Sequence, residues 1–441
     1  MRRSSAEAVW TVLAVSVVGC AARQKSATVD ADSGRSTDSG SRLDLDAVEA
    51  ELWQAWLAEA PDDWKTSTEA NVRHEQTVTS EAATMRYTVE RLGDATGAVP
   101  LYIALHGGGG APAEVNDDQW EAMQRYYRSS VSEGIYVAPR GITNEWNLHF
   151  DEASYLLYDR LIERMVVQEG VDPDRVYLLG FSAGGDGVYQ VVPRMADRFA
   201  AANMSAGHPN GMPATNLANV PFLVQMGELD TAYDRHLEAV RYTQQLDDRA
   251  DAHAGMYTHT LFLHKDGHHN APWSDRAADG SLFPVIVDYD AWIEDGNRDS
   301  TELDTNAVKW LDPRTRAPYP GRVVWEPEHS AERDGRQLSL YWLAVDASTA
   351  GLLDVSHDAQ DNSITVHTDE QGDFRVRLNH HMLDLHAPIT VRTPAGEQEL
   401  EVVPDPALMQ ATLAERGDPG HIFSVELRIE GGVATVVSGA R

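Results

Sequence analysis

A serine flanked by glycines, Gly180-Phe181-Ser182-Ala183-Gly184-Gly185, follows the apolar run Val176 to Leu179 and precedes a helical segment. Strand, tight turn and helix in that order put the serine on a sharp bend that lifts its hydroxyl clear of the backbone, with glycine required on either side because a side chain would meet the neighbouring strand or helix. A serine hydroxyl is a poor nucleophile near neutral pH. It needs an adjacent base, and the base needs an orienting acid. Asp230 closes Gly227-Glu228-Leu229-Asp230 at the end of the run Phe222 to Met226, which places a carboxylate at the carboxyl edge of a buried strand. Glu228 and Asp234 are its rivals. His268 follows Lys265-Asp266-Gly267 in a loop leaving the next strand, and Gly267 offers the backbone freedom to aim it. The base is therefore assigned to His268 rather than His269, with His264 inside the strand and His253 and His259 earlier in the chain.

Acyl transfer also needs donors aimed at a developing oxyanion. The amide of Ala183 lies after the nucleophile at a helix N-terminus, and a second amide is expected from Gly108 or Gly109 in His106-Gly107-Gly108-Gly109-Gly110, a loop that ends the strand Leu101 to Leu105. Asn144, Trp146, His149 and His208 fall in loops after strands, where they line a substrate pocket or simply pack. No cluster with metal-ligand spacing stands out. His268-His269 with Asp266 converges poorly on one ion, and neither metal nor cofactor is expected.

These residues need a scaffold, and the chain supplies an alternation of strands and helices. Strand patterns cover 84–92, 100–105, 135–138, 176–179, 200–205, 220–226 and 258–263; helical patterns cover 43–60, 117–127, 152–168, 183–197 and 231–248. That order implies an α/β class, a doubly wound, mostly parallel sheet with right-handed crossovers and helices on both faces. From about Gly321 the pattern changes to short β-type runs separated by Gly, Pro, Asp and Asn, which predicts a second, all-β, sandwich-like domain over 321–441 after a catalytic domain at 43–320. Every catalytic candidate lies before that tail.

The N-terminal stretch reads differently. Arg2 and Arg3 precede an apolar run from Val9 to Val18, and Val17-Val18-Gly19-Cys20 holds the only cysteine of the 441 residues. This has the layout of a secretory leader over 1–20. Residues 21–42 are rich in Ser, Thr, Asp and Gly and form a flexible tether. One cysteine excludes an intramolecular disulfide, so the core alone holds the fold. A formal net charge of −33 argues against nucleic-acid partners, whose binding depends on Lys and Arg neutralising phosphates.

The elbow, the Leu105-His106-Gly107-Gly108 turn and the chain order Ser182, Asp230, His268 resemble the α/β-hydrolase superfamily, in particular dienelactone hydrolases, phospholipase/carboxylesterases and polyhydroxybutyrate-depolymerase-like or feruloyl-type esterases. The resemblance covers about 84 to 316. It implies a nucleophile, acid and base at those three positions and a carboxylic-ester substrate, small or polymeric. His269 departs from it, since an aromatic often follows the catalytic histidine. The end of the leader resembles a bacterial lipobox, which implies lipidation of Cys20 and a lipoprotein anchored in the cell envelope, sorted to the outer membrane. The expected activity is that of a lipid-anchored serine carboxylesterase. A peptidase on the same fold and an inactive surface-binding protein are the alternatives.

Overall fold

In the computed structural model the described residues are 43–94, 97–270, 279–327, 338–346, 349, 351–368 and 372–438. The leader, Cys20 and the tether lie outside them. Residues 44–441 form one compact unit.

Its centre is a ten-stranded sheet. The strands are β1 (Arg73–Thr79), β2 (Thr84–Leu92), β3 (Val99–Leu105), β4 (Gly134–Pro139), β5 (Val171–Phe181), β6 (Ala201–Ser205), β7 (Phe222–Gly227), β8 (His259–His264), β9 (Phe283–Ile286) and β10 (Ser300–Leu303), in the order β1-β2-β4-β3-β5-β6-β7-β8-β9-β10. From β4 to β8 every neighbouring pair is parallel, and antiparallel strands flank this block on both sides. Parallel strands must be buried on both faces, because their crossover helices cover both. Strand β3 shows how: Leu101, Ile103 and Leu105 join one apolar cluster, whereas Tyr102 and Ala104 join the other. The first cluster takes in α3 (Glu152–Glu169), α4 (Ala183–Arg194) and α5 (Arg235–Ala252), through residues such as Leu157, Val188 and Val240. The second takes in α2 (Ala113–Tyr126) through Trp120 and Met123. Strands β1, β9 and β10 escape the sequence reading. β1 and β10 are polar edge strands with only a weak apolar alternation, as β10, exposed throughout, illustrates, and β9, between β8 and β10, is only four residues long.

The C-terminal part holds two five-stranded sheets. One has the order β11 (Arg322–Trp325), β14 (Leu353–Asp358), β15 (Ser363–Val366), β17 (Ile389–Thr393), β18 (Gly396–Leu400), with β15 and β17 parallel. The other has the order β12 (Ser339–Leu340), β13 (Leu343–Val345), β16 (Phe374–Leu378), β19 (Val425–Glu430), β20 (Val433–Ser438) and is antiparallel throughout. This part is not all-β: after the short helices α6 (Tyr289–Asp295) and α7 (Ala307–Leu311) that follow the histidine loop, the helix α8 (Pro406–Arg416) interrupts the strands, begun by the side chain of Asp405 on the amide of Ala407 and ended by Gly417 at φ +56°. Its buried Trp342, Val376 and Leu427 belong to the same apolar cluster as the first face of the large sheet.

A buried charge network ties the two parts. Arg198 bonds Asp159 at 2.9 Å and Asp418 at 2.8 Å; Arg316 bonds Asp418 at 2.6 Å and Asp174 at 2.8 Å; Arg416 pairs with Asp197. Burial alone would push a carboxyl upward, but the two arginines facing Asp418 hold it far below the usual carboxylate range. Charges buried this deeply specify one docking geometry, since separation would strand unpaired arginines in an apolar medium. The helix α1 (Leu45–Glu59) also reaches this seam: a side chain at Gly417 would come within 2.5 Å of the Trp56 ring.

Candidate active site

The elbow forms because the backbones around Ser182 approach more closely than any side chain allows. A Cβ at Gly180 would lie 2.1 Å from the carbonyl oxygen of Gly184, and one at Gly184 would lie 2.1 Å from that of Leu105. Strand β5, helix α4 and the end of β3 are thus in backbone contact. Ser182 itself adopts φ +58°, uncommon for a residue with a side chain, and its amide bonds the carbonyl of Ser205 on β6 at 3.0 Å. Strain held by contacts on both sides is the device that presents the hydroxyl.

The histidine that reaches Ser182 is His269, not the expected His268. The Nε2 of His269 lies 2.9 Å from Ser182 Oγ and its Nδ1 lies 2.6 Å from Asp230 Oδ2. His268 is exposed. The turn after β8 decides this. Asp266 takes the left-handed conformation (φ +58°), the Gly267 amide bonds the His264 carbonyl at 3.0 Å, and the Gly267 carbonyl accepts from Leu229 at 2.8 Å. Gly267 packs against Gly227, where a Cβ would meet the Gly267 carbonyl at 2.5 Å. The glycine therefore serves close packing rather than aiming the next residue. The chain leaves it with His268 outward and His269 inward, against the Phe181 ring at a centroid distance of 5.4 Å. The histidine that departed from the resemblance is the one whose geometry fits the base.

Asp230 is where the sequence puts it, its carboxylate 1% exposed, with Arg235 Nη1 3.7 Å from its second oxygen. Its rivals do other things. Asp234 is exposed, at φ +54°. Glu228 is buried and holds the histidine loop: it accepts from the Asp266 amide at 2.9 Å, from Trp292 Nε1 at 3.2 Å and from Arg298 at 2.5 and 2.6 Å. Arg298 also reaches Asp266 at 2.6 Å. Together these contacts hold the Glu228 carboxyl below its ordinary value.

Ser182, Ala183, Gly108 and Gly109 line one cavity of about 300 Å³ together with Trp146, Asp186, His208, Asn210, Tyr233 and Arg235. Gly108 and Gly109, at φ +106° and +79°, bend the loop over Ala183. Of the two, Gly109 is withdrawn as an oxyanion donor, because its amide bonds Asn116 Oδ1 at 2.8 Å. Asn144 is also placed otherwise than expected. It stays outside the cavity, where its Oδ1 accepts from Arg140 at 2.5 Å and from Asn116 at 3.2 Å, so it braces the residue that braces the glycine loop.

Trp146 and His208 do line the cavity. Trp146 is 55% exposed, and His208 is oriented by Asp186, which accepts its amide at 2.7 Å. His149 is a buried support for the loop instead of a pocket wall: its Nε2 donates to the His106 carbonyl at 2.8 Å. His106 in turn donates from Nδ1 to Gly107 at 2.6 Å and accepts from the Gly141 amide at 3.0 Å. Both imidazoles are kept neutral by burial, His149 pushed down to about 4 and His106 well below its ordinary value. Asn116, Asp186, Asn210, Tyr233 and Arg235 match no motif; Asp186 meets His208 and Asn210 across more than 20 residues, and Arg235 lies over the Tyr233 ring beside Asp230.

No protein-family profile matches the chain. It is 31% identical over 115 residues to a bifunctional acetylxylan esterase/xylanase of Neocallimastix patriciarum, a match covering 25% of this chain. The chain spans about a sixth (16%) of the length of that curated relative. Among solved structures it is similar to a poly(3-hydroxybutyrate) depolymerase from Bordetella parapertussis (17% identity, TM-score 0.38, covering 52% of this chain and 91% of the other). It is also similar to a ferulic acid esterase from Anaeromyces mucronatus (16% identity, TM-score 0.32, 48% and 90%). With six parallel strands in the order β4-β3-β5-β6-β7-β8, an elbow serine after β5, an acid after β7 and a histidine after β8, the chain has the α/β-hydrolase fold.

Proposed function

We propose that this protein is a carboxylic-ester hydrolase that works through an acyl-enzyme, with Ser182 as nucleophile, His269 as base and Asp230 as its orienting acid. One observation carries this reading: a single imidazole spans the serine and the buried carboxylate, at 2.9 and 2.6 Å. Ser182 Oγ attacks the ester carbonyl carbon while its proton passes to His269 Nε2. Asp230 accepts the Nδ1–H and stabilises the imidazolium. The amides of Ala183 and Gly108 receive the oxyanion. His269 then protonates the departing alcohol, and a water activated by the same nitrogen releases the acid. The relative acetylxylan esterase/xylanase supports an ester substrate. The polar lining by Asp186, His208, Asn210 and Arg235 and the small cavity favour a short acyl group on a hydroxylated alcohol over a long fatty chain.

The test is a panel of p-nitrophenyl esters, acetylated xylo-oligosaccharides and peptide p-nitroanilides, run beside labelling with a fluorophosphonate. Turnover of short esters with a stoichiometric adduct at Ser182 supports the reading. Labelling with anilide turnover alone makes the protein a peptidase, and no adduct makes it a binding protein.

Anchoring belongs to the same proposal. The lipobox-like Val17-Val18-Gly19-Cys20 supports lipidation at Cys20 and a place at the bacterial envelope, with the tether giving the catalytic unit reach. Cys20→Ser then releases the protein from the membrane fraction with its specific activity unchanged; retention in high salt rejects lipidation there.

A further inference from the structure

Four side chains that could hold a metal meet at the seam between α1 and the loop after β16, and none of them lines the Ser182 cavity. Asp46 and Glu49 stand three residues apart on α1, hence on one face of it. His380 and His381 follow Asn379, a fully buried residue whose amide fixes the loop: its Nδ2 donates to the Ile422 carbonyl at 3.0 Å and its Oδ1 accepts from the His381 amide at 3.2 Å. One donor atom from each of the four lies within 4.8 Å of the other three. His380 Nε2 is 3.0 Å from Asp46 Oδ1, and His381 Nε2 is 2.9 Å from Glu49 Oε2.

The remaining atoms point to a cation. In the neutral ring, with Nε2–H donated to Asp46, the Nδ1 of His380 carries a lone pair, and it faces Glu49 Oε1 at 3.7 Å. Both atoms are shielded from solvent and neither has a hydrogen-bond partner. Two unsatisfied lone pairs opposed in a buried place repel each other and call for something positive between them. A metal ion bonded to imidazole nitrogen and carboxylate oxygen at about 2.0–2.2 Å spans a separation of that size. Asp46 on the other ring nitrogen then completes the carboxylate–histidine–metal arrangement that orients a ligating imidazole. Two imidazoles with a carboxylate select a borderline transition metal over calcium or magnesium, which take oxygen ligands.

We propose that Glu49, His380 and His381 bind a divalent transition-metal cation of the zinc class, with Asp46 orienting His380, and that the ion clasps α1 to the C-terminal sheets. The site is structural. It joins segments 334 residues apart in the chain, directly after the stretch read as a tether, so it braces the place where tension on that tether would enter the fold.

The test uses the untagged full chain, stripped with a chelator and dialysed, then titrated with ZnCl₂ by calorimetry while thermal unfolding is followed with and without the ion. Binding of one ion per chain with a micromolar or tighter Kd, a rise in Tm and unchanged hydrolysis of p-nitrophenyl acetate supports the site. Glu49→Gln and His380→Ala each then weaken binding by about 100-fold or more, and Asp46→Asn by about 10- to 100-fold, as loss of an orienting partner does. Glu49→Gln is nearly isosteric, so it remains informative if His380→Ala fails to fold. Absence of saturable binding, or equal affinity in the folded Glu49→Gln variant, overturns the proposal and leaves the four residues an ion-pair cluster.

Discussion

The two partners of the Ser182–His269 hydrogen bond are held by different means. The serine sits in a contiguous hexapeptide, where Gly180 is crowded by Gly184 of the same turn and Gly184 by the Leu105 carbonyl at the end of β3. The histidine sits in a loop whose course is dictated by residues far along the chain: Glu228 from the end of β7, Arg298 from before β10, and the packing of Gly267 on Gly227. One partner is therefore placed by a close backbone fit around one strand–turn–helix unit and the other by side-chain contacts from several loops. Local geometry tolerates no change but can be read from sequence, whereas a tertiary mooring can be loosened by degrees.

The largest effect tests the assignment itself. Ser182→Ala and His269→Ala should each lower kcat by about 10⁴-fold or more, because triad members act as a unit. His268→Ala should stay within about threefold of the parent, since its side chain faces outward. Steady-state kinetics on a short p-nitrophenyl ester reads all three, and collapse of His268→Ala would reverse the assignment.

Next comes the rigid side of the comparison. Gly184→Ala drives a Cβ into the Leu105 carbonyl, where backbone rather than a flexible side chain must move, so a loss of about 3 kcal/mol of stability is expected. Denaturant unfolding checks it; a change below 1 kcal/mol would show that β3 and α4 can separate at little cost.

An effect of similar size, present only at low pH, concerns the imidazoles beneath the glycine loop. His149 is held down to about 4 by burial, against about 6.5 when unfolded. Below 6.5 the unfolded chain binds the additional proton. Stability contributed by the neutral form is thus full above that pH and is lost as pH falls toward 4, by about 3 kcal/mol at the lower end. His149→Gln keeps a donor for the His106 carbonyl and should flatten this decline. Unfolding curves measured between pH 7 and 4 would show it, and identical slopes for parent and variant would mean that other groups dominate.

The smallest effect probes the tertiary mooring. Glu228→Gln keeps the shape but weakens the hold on Arg298 and the Asp266 amide, so kcat should fall by about tenfold, roughly 1.4 kcal/mol, with KM little changed. A rise in KM with kcat intact would place Glu228 in substrate binding instead.

Much of this was legible in the amino-acid order, and the physical reason is range. Short apolar runs such as Leu101 to Leu105, bounded by Pro100 and the Gly-rich loop, read as strands buried on both faces, and the alternation of strands and helices points to a doubly wound sheet. The serine, the acid after β7 and the glycine loop follow from local rules of turns and strand ends. What chain order alone left open is whatever depends on direction. Which of two adjacent histidines turns inward was decided by Glu228, Arg298 and Gly227. Which of two adjacent glycines keeps its amide for an oxyanion was decided by Asn116, itself held by Asn144. The Glu49–His380–His381 cluster likewise exists only once distant segments meet, because a side chain's partner across 334 residues leaves no periodicity for the sequence to show, whereas α8 carried local end signals in Asp405 and Gly417 inside a tail patterned mostly for strands.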